Sequence, residues 1–129
     1  MIRRLLAQSR GASAVEFALT APVMILLLVG IAQIGIALAA GAGLRQAVAE
    51  GARYAALYPA PTDAQIIARV QQKRFFLNPE RLTGPTLTRG VYNGVNYVDI
   101  HVAYSVQIVP AFAPRLAIPL SETRRAYLP

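Results

Sequence analysis

The sequence predicts an α+β protein with one long N-terminal helix, a short second helix and a small antiparallel β-sheet. Three observations carry this. Residues 17–44 form an apolar run in which only Thr20 and Gln33 are polar and no residue is charged. Residues 44–58, LRQAVAEGARYAALY, continue with helical periodicity. Residues 95–109, VNYVDIHVAYSVQIV, alternate apolar and polar side chains, the pattern of a strand with one buried and one wet face.

Taken in order, residues 1–11 (MIRRLLAQSRG) read as a short basic leader ending in glycine. The apolar run that follows exceeds the ~20 residues a helix needs to cross a bilayer, and its best core is about residues 17–38. Pro22 lies inside it and predicts a kink, which membrane helices tolerate when the freed carbonyl finds another partner. Beyond the span, Ala47, Val48, Gly51, Tyr54, Ala55 and Tyr58 share one helical face, and Gln46, Glu50 and Arg53 share the other. Glu50 and Arg53 are spaced to pair. Pro59 and Pro61 end the helix, so it is expected over residues 12–58 and a small domain over residues 59–129.

In that domain Thr62 and Gln65 form a capping-box pattern at the start of a helix expected from Asp63 to about Phe76. Ile66, Ile67, Val70 and Phe75 are its expected buried face, and Asn78-Pro79 is a break. Asn93-Gly94 is a strong hairpin signal, so residues 86–92 should pair antiparallel with residues 95–109. Pro110 and Pro114 predict a loop, and residues 117–127 a third strand.

Composition narrows the function. Hydrophobic residues make up 55% of the 129, concentrated in the first third, and this points to a membrane segment with a modest outer part. The absence of cysteine excludes disulfides and thiolate metal sites. A small domain without such crosslinks must hold by packing, and is expected to borrow core from the long helix or from neighbouring subunits. The formal charge is +7. It is scattered rather than gathered on one face, which argues against nucleic acid as a partner. Arg3, Arg4 and Arg10 precede the span, so the N-terminus is expected in the cytoplasm and the domain outside it.

The informative junction is Gly11-Ala12-Ser13-Ala14-Val15-Glu16-Phe17, where one carboxylate lies five residues past the glycine at the start of an apolar helix. An ionised acid inside a span is costly unless it is partnered, so Glu16 is a functional candidate. The arrangement resembles the class III signal of type IV pilins and pseudopilins. The longer pattern, RGASAVEFALTAPVMILLLVGIAQIG followed by LRQAVAEGARYAALY, resembles the TadE-like minor pseudopilins of tight-adherence (Flp pilus) systems. The resemblance covers residues 3–58 and is looser beyond them.

It implies cleavage between Gly11 and Ala12 by a prepilin peptidase at the cytoplasmic face, and it places Glu16 and Phe17 at assembly positions of the mature helix. Phe17 stands where major Flp pilins usually have tyrosine, which fits a minor component. The implied partners are the prepilin peptidase, other pilin or pseudopilin subunits, an inner-membrane assembly platform and membrane lipid. The implied location is the bacterial inner membrane, then a cell-surface pilus used in adhesion.

Two plainer readings stay open. Ala37-Leu38-Ala39 is an acceptable site for ordinary signal cleavage, although the apolar stretch before it is longer than such signals use. The chain could also be a signal-anchored protein with no pilus role, with Glu16 snorkelling at the interface. Gly35, Ala39, Gly43, Ala47 and Gly51 recur every fourth residue, a ridge that permits close helix approach or simply follows from alanine- and glycine-rich composition. His101 beside Asp99 lacks the further ligands a metal needs, and Tyr92, Tyr97 and Tyr104 read as hairpin packing. No nucleophile–base pair or phosphate loop stands out, so neither an enzyme nor a cofactor is expected.

Overall fold

A computed structural model describes residues 9–109 and 114–129, with side chains from residue 11 onward. The predicted leader arginines Arg3 and Arg4, the side chain of Arg10, and Pro110 lie outside the described residues. The architecture is α+β, and the chain divides into two units between Ile34 and Gly35. Helix α1 runs Ser9–Ala55 without interruption through Pro22. Helix α2 (Asp63–Gln72) and a 3-10 turn (Pro79–Arg81) follow. Strands β1 (Leu82–Tyr92), β2 (Val95–Ile108) and β3 (Leu116–Tyr127) form one antiparallel sheet in the order β1-β2-β3.

In the first unit, α1 is an isolated helix from which apolar side chains project outward. Val15, Phe17, Leu19, Ile25, Leu28 and Ile31 are all exposed. In the second unit the same helix becomes core. Ala40, Leu44, Ala47, Val48, Ala52 and Ala55 are buried at the spacing of one helical stripe, and they supply six of the fifteen buried apolar residues described. The domain thus borrows core from its own helix.

The rest of the core comes from Ile66 and Val70 of α2, Leu77, the inward side chains Val98, Ile100, Val102, Tyr104 and Val106 of β2, and Ala126 of β3. Burying a valine or isoleucine side chain contributes about 2 kcal/mol, so the fully buried Val48, Ile66, Val70, Val98, Ile100 and Val102 dominate the packing.

Local chemistry explains the element ends. Thr62 and Gln65 form a reciprocal capping box at α2, with Thr62 N–H donating to Gln65 Oε1 at 2.9 Å. Asn93 and Gly94 both have positive φ, as a two-residue type I′ turn requires, and they set Tyr92 opposite Val95. Gly84, at φ +99°, sits in the irregularity of β1 between Thr83 and Thr86. A single edge strand with this bulge extends the hairpin arm to Leu82, earlier than the expected start at residue 86.

Three expectations are corrected. Helix α1 ends at Ala55 rather than Tyr58, because Leu57 N–H turns back to the Tyr54 carbonyl at 3.1 Å and Pro59 disfavours helical backbone at Tyr58. Tyr58 is accordingly 88% exposed and Tyr54 only half-buried, so neither Tyr58 nor residues 56–58 belong to the helical face. Helix α2 stops at Gln72, capped by Lys73, and does not reach Phe76. Phe75, expected in the buried face, is exposed, and Ile67 is half-buried.

Candidate functional site on the N-terminal helix

The site predicted from the sequence lies on one continuous helix. Gly11 and Ala12 are in its exposed first turns, and a Cβ built at Gly11 meets nothing within 4 Å. Glu16 and Phe17 follow about one turn later, both exposed. The Glu16 carbonyl accepts a hydrogen bond from Thr20 Oγ1 at 2.8 Å, which satisfies the hydroxyl inside an apolar stretch. Among the described residues every ion pair lies beyond residue 49, so Glu16 meets no cation there. Pro22 is exposed on the same stretch.

From Val15 to Leu38 the helix rises ~35 Å at ~1.5 Å per residue, close to the ~30 Å thickness of a bilayer hydrocarbon core. Almost none of the most apolar window of α1 is buried, and by length and composition this is a helix able to cross a membrane.

The small-residue series divides in two. Gly35 has open space around it, and Ala39 is half-buried. Gly43, Ala47 and Gly51 are buried by the chain's own domain. A Cβ at Gly43 would overlap the Phe75 carbonyl oxygen, and one at Gly51 would overlap Val70 and crowd Ile100. At Gly51 the close neighbour is therefore α2.

Residues 11–53 match the family model of TadE-like proteins. Over this stretch the helix is similar to TadE-like proteins. The match begins at Gly11 and closes two residues before the helix does, so it spans Glu16, the exposed apolar stretch and the packed extension. No curated protein and no solved structure matches the chain.

The remaining sequence candidates lie on the sheet. Asp99 and Arg125 form a paired contact across β2 and β3, with Arg125 Nε and Nη2 each donating to a different carboxylate oxygen at 2.8 Å. Hydrogen bonding from Arg125 holds the Asp99 carboxyl below its ordinary value of 3.8, and the same bond pushes Arg125 up. The Arg125 guanidinium also stacks 3.8 Å from the Tyr97 ring centroid, and that ring covers Gly90. His101 is exposed, with Nδ1 2.8 Å from Thr123 Oγ1. Tyr104 is buried, and its hydroxyl accepts from the Asn78 N–H at 3.3 Å. These are packing and pairing roles within the sheet.

Sequence reasoning missed Phe75 and Phe76 as surface residues. The available signal was their position directly after Lys73-Arg74, at the end of a ten-residue helix whose face is already completed by Ile66 and Val70.

Proposed function

We propose that this chain is a minor pilin or pseudopilin, a non-enzymatic structural component that assembles into a tight-adherence pilus used in surface adhesion. The observation that carries the reading is the family match over residues 11–53, laid on a helix whose first half exposes an apolar surface with Glu16 as its one carboxylate. On this reading a prepilin peptidase cuts between Gly11 and Ala12. The helix then holds the protein in the inner membrane, and residues 59–129 lie outside the cytoplasm until the subunit is extracted into the pilus. The assembly platform and other pilin subunits are its partners.

Glu16 gives the mechanism. Cleavage creates an α-amino cation on Ala12, one helical turn from Glu16. Within one chain the helix separates the two groups. Between chains, the amine of one subunit meets Glu16 of another, so two charges that are each costly in lipid neutralise one another. A subunit out of axial register leaves both unpaired, and the pair therefore sets register as well as attraction.

The test compares sheared surface fractions with membrane fractions. Glu16→Ala and Glu16→Gln should both be cleaved and inserted normally yet lost from the sheared fraction, with the glutamine variant nearly as defective because it keeps shape without charge. Normal recovery of both variants in the sheared fraction contradicts the assembly role and favours a simple signal anchor.

A further inference from the structure

We propose that the Lys73-Arg74-Phe75-Phe76 loop is a second membrane contact, with its two phenyl rings inserted at the bilayer surface and its two cations against anionic phospholipid headgroups. This rests on the reading of α1 as a membrane anchor.

The loop is pinned at both ends. Lys73 caps α2 through its N–H to the Arg69 and Val70 carbonyls, and the Phe75 N–H donates to the Lys73 carbonyl at 3.0 Å. On the far side Leu77 is buried in the core, and the Asn78 N–H reaches Tyr104. Between these anchors Phe75 and Phe76 are 70% and 73% exposed, with their rings edge-to-face at 4.5 Å. A phenyl side chain left in water forgoes the stabilisation that burial of its apolar surface gives. Phe76 also has φ 59°, a left-handed conformation that is a genuine outlier for a bulky residue. A loop anchored at both ends and holding two adjacent phenylalanines outward offers them to an apolar medium.

The position of the loop identifies that medium. The Phe75 carbonyl lies against Gly43, and both rings line an open groove of about 630 Å³ with Ala39 and Ala42. Ala39 directly follows Leu38, which is exposed and apolar, as is Ile36 one turn below. The rings thus sit where the lipid-compatible surface of α1 gives way to packed domain.

The same end of the domain carries the end of β2 and the start of β3. Ile100 lies beside Gly51 and Leu120 beside Gly41, so β2 runs back along α1, and exposed Leu116 belongs to this end. Lys73 and Arg74 take part in none of the ion pairs among the described residues. Phenylalanines backed by cations on a surface facing lipid match the chemistry of an interfacial anchor on anionic membranes.

The chain contains no tryptophan, so single substitutions report position directly. Full-length Leu27→Trp, Phe75→Trp and Tyr92→Trp are placed in nanodiscs made with chain-brominated phosphatidylglycerol and phosphatidylcholine. Phe75→Trp should be blue-shifted and quenched at least about half as strongly as Leu27→Trp, while Tyr92→Trp at the opposite sheet end stays unquenched. Adding Lys73→Gln with Arg74→Gln should weaken the Phe75→Trp quench in anionic discs only. Quenching of Leu27→Trp without quenching of Phe75→Trp overturns the loop proposal and leaves the anchor. A blue shift at Phe75→Trp without quenching assigns the rings to a protein surface and overturns it equally. An unquenched Leu27→Trp overturns the anchor reading and the loop with it.

Discussion

Helix α1 has two halves in different surroundings. Up to Ile34 its apolar side chains face outward, and Gly11 and Gly30 have nothing within 4 Å. Beyond Gly35 alanine and glycine replace most of the large aliphatic residues, the apolar face is folded under a sheet, and Gly43 and Gly51 are too tightly covered to accept a methyl group. The difference teaches that hydrophobic content alone does not say what covers a helix. In the second half the chain supplies its own cover, and in the first half the described residues leave the apolar side chains exposed.

The contrast can be broken most sharply with one methyl group. Gly43→Ala places a Cβ on the Phe75 carbonyl, a backbone atom that cannot rotate aside, and Gly51→Ala places one on Val70. Each should destabilise the C-terminal domain by about 2 kcal/mol through overpacking. Gly35→Ala should leave it unchanged or raise helix stability by up to about 1 kcal/mol. Denaturant unfolding of the detergent-solubilised protein, followed by near-ultraviolet circular dichroism, measures all three. Equal effects at Gly35 and Gly43 would show that the two halves are not distinct.

A smaller effect sharpens the picture of the C-terminal domain. Asp99 is held below its ordinary value of 3.8 by its hydrogen bonds from Arg125. Its folded state is therefore the weaker proton binder. The stability it contributes is present above pH 3.8 and is lost as pH falls through the lower folded value. Asp99→Asn should cost little, since the pair is partly exposed, and should abolish that part of the acid dependence while leaving the neutral-pH fold intact. Unfolding midpoints of the two proteins, compared from neutral pH down to about pH 2, should converge at the acid end.

Sequence pattern revealed those parts of the fold that local chemistry decides. The alternation from Val98 to Val106 marks the buried face of β2, Asn93-Gly94 marks the hairpin, and Thr62 with Gln65 marks the start of α2. Ends set by less local constraints were harder to see. The helical pattern continues through Tyr58 on paper, yet the backbone leaves the helix after Ala55, ahead of Pro59. The turn after α2 places Phe76 in a left-handed conformation that favours glycine or asparagine, so no turn residue marks that position. The glycine series was visible, but only the fold assigns Gly43 to the Phe75 loop and Gly51 to α2. On the functional side, Glu16 stood out as a candidate because an acid inside an apolar run is costly in lipid, whereas the exposure of Phe75 and Phe76 depends on where Leu77 and Tyr104 pin the chain.

The most direct test of the pilin reading is the intact mass and N-terminal sequence of the protein recovered from cells that build the pilus. Gly11 has open space around it, so a bulky residue there leaves the fold undisturbed and any block of processing reflects the peptidase itself. The expected mature chain begins at Ala12, having shed Arg3, Arg4 and Arg10, and Gly11→Phe should accumulate as the full-length precursor in the membrane. Wild-type protein that retains Met1 in cells with an active prepilin peptidase, or that begins after Ala39 instead, would contradict the reading.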